Sequence, residues 1–172
     1  MNLRIRHETD EDVARITEIH SAAFGQENEG VLVERLRQTD AFEPELSLVA
    51  EVDGIVSGHI LFYPVVIESG REEYQTLALA PMAVIPELQN KGIGNKLATE
   101  GLETAKRLGH KSVIVLGHPD YYPRFGFQPA SKWGISAPFE APDDAFLALE
   151  LVPGELSDKC GAVRYPPEYE KV

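Results

Sequence analysis

The stretch Gln89-Asn90-Lys91-Gly92-Ile93-Gly94 constrains this 172-residue chain more than any other. Before it lies an apolar, strand-like run, Leu77 to Val84, and after it a strongly helical run, Ile93 to Leu108. Two glycines let the backbone come close to a ligand, with no Cβ in the way. The helix that follows turns its free N–H groups and the positive end of its dipole back toward the loop. Strand, glycine turn and helix N-terminus together form an anion cradle, suited to a pyrophosphate.

The flanking pattern supplies the rest of the fold. Leu3 to Arg6 alternates like a short strand, and Thr9 opens a helix with Asp12 as its capping-box partner. Val13, Ile16, Ile19, His20 and Ala23 share one helical face, and a second helix is expected from Glu29 to Gln38. Leu46 to Val52 and Ile55 to Tyr63 read as a hairpin about Asp53-Gly54, with Pro64 bending the return strand and Val65 to Glu68 continuing it. A strand from Glu73 to Val84 is expected to lose a neighbour at Pro81, which has no N–H to donate. Ile93, Leu97, Ala98, Leu102, Ala105 and Leu108 stripe the long helix, Gly109 stops it, and Ser112 to Leu116 returns as a strand. Strand, helix and strand over this length predict a parallel pair with a right-handed crossover. Phe146 to Leu151 reads as the last strand, and a loose tail is expected from about residue 166.

The formal net charge of −12, from 28 acidic and 16 basic residues, argues against a nucleic-acid partner, which calls for basic surface. General solubility explains the charge first; a cationic substrate such as an amine is compatible with it. The lone cysteine, Cys160, allows no internal disulfide and is expected to pack. With no signal-peptide pattern, it points to a reducing, cytoplasmic setting. No apolar run approaches membrane-span length.

Met82-Ala83-Val84, then Gln89-x-x-Gly92-x-Gly94 and a helix, resembles the acyl-CoA-binding signature of the GNAT superfamily of N-acetyltransferases. Downstream, Tyr122-Pro123-Arg124-Phe125-Gly126-Phe127 is similar to the family's Tyr-x-x-x-Gly-Phe. The segment Gly117 to Phe127, Gly-x-Pro-x-Tyr-Tyr-x-Arg-Phe-Gly-Phe, resembles a bacterial branch of predicted acetyltransferases. The likeness runs from near Leu3 to about Leu151 in one domain spanning residues 1–172. It implies an α/β (α+β) fold: a mixed, mostly antiparallel twisted sheet flanked by helices, with a central parallel strand pair splayed apart. Monomer and homodimer are both open.

The resemblance also implies chemistry. Amides from Lys91 to Asn95, with Gln89, Asn90, Gly92, Ile93 and Gly94 shaping the loop, would hold the pyrophosphate of acetyl-CoA. The pantetheine arm would pair along Met82, Ala83 and Val84, where an N–H could also hold the oxyanion of a tetrahedral intermediate. The acceptor would be a small-molecule or peptide amine, and no metal is called for. Tyr122 matches the family's general acid for the departing thiolate. His118 is a candidate for proton relay, with His59, Glu51 and Asp120 as further candidates beside a water chain. Many members carry an asparagine about a turn or more before the tyrosine; here Val115 lies seven residues before it and His118-Pro119-Asp120 fills the turn. The proline- and acid-rich loop Pro138 to Asp144 either edges the acceptor site or is a plain turn. A rival reading is an acyl-CoA-binding sensor without turnover. A nucleotide loop is disfavoured by the missing Gly-Lys-Ser/Thr ending.

Overall fold

A computed structural model describes residues 1–171. They form three α-helices and nine strands of a mixed, mostly antiparallel sheet, with short 3-10 turns between. The chain gathers into two compact units, the first made of Met1–Tyr63, Ala80–Thr104 and the C-terminal turn, the second of Pro64–Leu79 and Ala105–Pro166.

In the first unit, β1 (Leu3–His7) pairs antiparallel with β2 (Ser47–Val52), and β2 with the start of β3 (Ile55–Ser69). Asp53 and Gly54 both take left-handed φ, 52° and 83°, so a two-residue turn sets this hairpin's register. Thr9 and Asp12 form the expected capping box, within a 3-10 turn at Asp10–Asp12. α1 (Val13–Phe24) follows directly and α2 (Asn28–Arg37) comes next. Ile16, Leu32, Val33 and Leu36 from these helices pack against Val49, Leu61 and Tyr63 of the strands. α3 (Ile93–Arg107) buries Leu97 and Gly101. A Cβ at Gly101 would overlap the Phe62 ring, so close packing outweighs the roughly 1 kcal/mol that a mid-helix glycine costs.

The second unit is built on β4 (Glu72–Val84) and β5 (Ser112–Leu116), which pair in parallel at Leu77–Val113 and Ala78–Ile114. This ladder is short: β4 runs on to Val84, with Pro81 just past the last rung. Here β6 (Gln128–Pro129) and β7 (Ile135–Ser136) are two-residue strands, while β8 (Phe146–Glu150) and β9 (Gly161–Arg164) are longer. β8 pairs antiparallel with β5 and with β6; β9 pairs antiparallel with Val66–Glu68 and in parallel with β7. Val65, Ile67, Ala78, Ile114, Phe146, Ala148 and Val163 are among the core residues of this unit.

β3 runs unbroken from Ile55 to Ser69, so Val65 to Glu68 continue it past Pro64 as expected. Two expectations change. Cys160 is exposed, not packed, because β9 begins at the next residue and leaves it on the rim. The C-terminal residues, expected to be loose, form a 3-10 turn, Pro167–Lys171. Its Tyr169 meets Tyr63 edge to face and donates its hydroxyl to the Ala80 carbonyl at 3.2 Å.

Candidate active site

The glycine loop has the geometry that its sequence demands. Asn90 and Gly92 both take left-handed φ, 63° and 86°, and a Cβ at Gly92 would meet no heavy atom within 4 Å. The backbone is therefore open to an approaching ligand there. Residues 89–92 are exposed, while Ile93 is buried and anchors the first turn of α3. That turn begins with the Lys96 N–H donating to the Gly92 carbonyl at 3.1 Å, which leaves the amides before it unpaired within the helix. Gln89 Nε2 donates to the Val84 carbonyl at 2.9 Å and ties the loop to the end of β4. Met82 is half-buried, and Ala83 and Val84 are buried. The first unit thus brings together Met82, Ala83, Val84, Gln89, Asn90, Lys91, Gly92, Ile93, Gly94 and Asn95 as one continuous element.

Tyr122 and His118 lie in the second unit. Tyr122 opens a 3-10 turn, Tyr122–Phe125, that Gly126 closes with φ 100°. Its ring meets Phe127 at 5.8 Å and Tyr121 at 5.0 Å between centroids. A Cβ at Gly117 would fall onto that ring, so a glycine is required there. Burial, with Tyr121 adding, lifts the Tyr122 phenol to about 12, so it keeps its proton at neutral pH. The carbonyl of His118 accepts the Tyr121 N–H at 3.1 Å, and its side chain is exposed. Val115 is buried opposite Leu147. The loop Pro138 to Asp144 edges a cleft of about 710 Å³ whose walls include Ile135, Phe139, Pro142 and Phe146. Ala145, next to that loop, accepts the Gly117 N–H at 2.9 Å.

The remaining base candidates separate cleanly. Asp120 is exposed on the turn. Glu51 accepts from Arg6 Nε at 2.6 Å, in a pairing that also holds Asp12 to Arg6. His59 is fully buried, in a network that sequence reading did not assemble. Its Nε2 lies 2.7 Å from Ser47 Oγ, and its Nδ1 lies 2.8 Å from His20 Nε2. Ser47 donates to Glu8, which also accepts from Arg37 Nε at 2.8 Å. Serine, histidine and histidine in this order suggest a nucleophile. Ser47 is fully buried and its proton is committed to Glu8, which excludes that role. The one available signal was His20 on an inward helical face, a polar residue at a core position.

This network carries a pH dependence. Burial, then His59 and Arg37, push His20 down to about 2, and burial also lowers His59. Burial alone would raise the Glu8 carboxyl, but His59, Arg37 and Ser47 outweigh it and hold it at about 2. A histidine whose folded value is depressed stabilises the fold above its unfolded value near ~6.5, and the contribution is lost as pH falls below it. The Glu8 contribution is lost only below its unfolded value near ~4.5, on the way down to about 2. Between roughly pH 6 and 4.5 the slope therefore belongs to the histidines. Urea unfolding is expected to show stability falling by about 1.4 kcal/mol or more per pH unit there. A flat profile across that window would mean that both rings are already charged.

Among the described residues no cluster of ligands could hold a metal, and no helix is long and apolar enough to cross a membrane. Residues 4–130 match the family model described as acetyltransferase (GNAT) domain. The chain is 40% identical over 140 residues to the uncharacterised N-acetyltransferase YjhQ of Escherichia coli K12, covering 80% of this chain and 77% of that one. It is 32% identical over 168 residues to the uncharacterised N-acetyltransferase YhbS of the same strain, covering 97% and 98%. The crystal structure of Escherichia coli YhbS in complex with CoA superposes with a TM-score of 0.89 at 30% identity, over 99% of this chain and 93% of that one. A GNAT family acetyltransferase from Brucella melitensis in complex with acetyl-CoA gives 0.79 at 35% identity, over 98% of each.

Proposed function

Since the chain belongs to the GNAT acetyltransferase family, we propose that it moves an acetyl group from acetyl-CoA to a primary amine by direct attack. The observation that carries this is the Gln89–Gly94 loop, opened by left-handed backbone at Asn90 and Gly92 and pinned to β4 by Gln89. Amides from Lys91 to Asn95 take the pyrophosphate at the N-terminus of α3. The pantetheine arm pairs along Met82 to Val84, beyond the last β4–β5 rung, and an N–H there receives the oxyanion.

The amine nitrogen attacks the thioester carbonyl and loses a proton; the tetrahedral intermediate collapses by breaking the C–S bond. Tyr122 keeps its proton at neutral pH and offers it to the sulfur as negative charge builds there. An alkylammonium, with a pKa near ~10 by analogy with lysine, must be deprotonated before it can attack.

The test reads the melting temperature and then thiol release. Acetyl-CoA and CoA are expected to raise the melting temperature, because they bind only the native state, and ATP and NAD much less. A larger shift with NAD would support a dinucleotide site instead. Binding without thiol release across a broad amine panel would support a sensor module.

A further inference from the structure

The cleft edged by the loop Pro138 to Asp144 has a lining that none of the chemistry above uses. Its volume, about 710 Å³, falls in the range of small-molecule sites. Ile135, Phe139, Pro142 and Phe146 give it apolar walls, and the rings of Phe139 and Phe146 meet edge to face at 6.3 Å between centroids. Phe139 is 44% exposed, an aromatic ring left open to whatever enters. Among the described residues, the charged side chains on the lining are Glu140 and Asp143; no Lys, Arg or His stands there. Both carboxylates are exposed, and neither forms an ion pair or a side-chain hydrogen bond with a described residue. Apolar walls with two carboxylates and no cation suit a ligand that joins a carbon chain to a positive charge, and they repel one that carries a carboxylate.

The cleft and Tyr122 share the second unit and meet at one strand end. Phe146 pairs with Leu116, the last residue of β5, and the Gly117 N–H continues that pairing by donating to the Ala145 carbonyl at 2.9 Å. Successive positions on a strand face opposite sides, about 3.4 Å apart along it. Phe146 and Leu116 therefore look one way, and the Gly117 position, where the Tyr122 ring packs, looks the other. Leu116 is 49% exposed, so the strand end is open on the side of the cleft. A thioester whose sulfur lies at the Tyr122 hydroxyl is thus open to an amine arriving from the cleft, and the proton donor does not stand in the path of that amine.

We propose that this cleft binds the acceptor, and that the acceptor is a diamine or polyamine: Glu140 and Asp143 hold one ammonium, the carbon chain lies on Phe139 and Phe146, and the far nitrogen is acetylated at the end of β5. The proposal rests on the acetyltransferase reading above and names its acceptor class. The far ammonium gives one proton to water and attacks as a free amine. The C–N bond forms, the C–S bond breaks and the sulfur takes the Tyr122 proton. The proton that the nitrogen sheds on becoming an amide restores Tyr122, and nothing is oxidised or reduced. The held ammonium does not react, so its charge supplies binding from encounter to product. An amino acid would bring its own carboxylate into the same cleft, against Glu140 and Asp143.

Three acceptors that differ by one group test the cleft through thiol release. They are 1,5-diaminopentane, n-pentylamine, which lacks the second ammonium, and lysine, which is the diamine with a carboxylate added. The wild type is expected to turn over the diamine with kcat/KM about tenfold above n-pentylamine, or ~1.4 kcal/mol, which two exposed ion pairs can supply. Lysine should fall at least as far behind. The preference should shrink at high salt, which screens exposed charges. In the double variant Glu140→Gln, Asp143→Asn the diamine is expected to lose about tenfold and n-pentylamine much less, so that the two acceptors come within about twofold of each other. Acetyl-CoA affinity, read by calorimetry, should not change, which also reports that the variant is folded. Phe139→Ala should lower both alkylamines severalfold and leave their ratio as it is. A wild type that takes n-pentylamine or lysine as well as the diamine overturns this acceptor class and leaves the acetyltransferase reading standing. A diamine preference that survives in the double variant removes the cleft from the acceptor site. A wild type that binds acetyl-CoA yet releases no thiol with any of the three overturns the proposal and leaves the cofactor site standing. A wild type that does not bind acetyl-CoA overturns both.

Discussion

Tyr122→Phe is expected to lower kcat by about 10²-fold, or ~2.7 kcal/mol of barrier, while acetyl-CoA affinity stays within about twofold. The substitution removes one hydroxyl and keeps the ring that Gly117, Phe127 and Tyr121 pack around. Burial holds the phenol at about 12, so a proton is available at every working pH and its loss is felt throughout. The affinity is spared because the proposed cradle consists of backbone amides in the Gln89–Gly94 loop. Tyr121→Phe is the control. The Arg124 guanidinium lies 4.4 Å from the Tyr121 ring, a contact that the phenyl ring retains, so this variant should cost much less. If Tyr122→Phe keeps nearly full kcat in a folded protein, Tyr122 only packs, and the proton comes from water or from His118.

The parts of the fold legible in the sequence are those that a local signal settles. The Asp53-Gly54 hairpin, the run of α3 and the strand Ser112–Leu116 each carry their own punctuation or periodicity. β6, β7 and β9 carry none. Two of them are two residues long, and β9 exists because Val66–Glu68 and Ile135–Ser136 are free to pair with it, which no local pattern encodes.

The site divides along the same line. The proposed cofactor loop is a contiguous stretch whose glycines announce it, so its residues stand in order in the sequence. The buried chain of Glu8, His20, Ser47 and His59 joins the residue just after β1 to positions on α1, β2 and β3. Each residue alone reads as an ordinary polar side chain. The strand register, which sets His59 opposite Val49 and His7 opposite Leu48, and the seating of α1 with His20 inward together place them within hydrogen-bond reach.

Gly92→Asp is expected to weaken acetyl-CoA binding about thirtyfold or more, ~2 kcal/mol, as read by calorimetry. Two effects combine. The backbone at Gly92 is left-handed, φ 86°, which costs a residue with a Cβ roughly 1–2 kcal/mol and loosens the loop. The new carboxylate would also stand beside the pyrophosphate. At roughly 5 Å, like charges repel by about 0.8 kcal/mol in water and about 3.3 kcal/mol at a protein surface. The fold itself should survive, because the added atom meets nothing within 4 Å. Gly92→Ala carries the strain without the charge and should lose less affinity; the gap between the two variants should narrow at high salt, which screens exposed charges. Equal losses in both variants would assign the effect to loop strain alone. Wild-type affinity in Gly92→Asp would remove this loop from the acetyl-CoA site, and with it the observation on which the acetyltransferase reading chiefly depends.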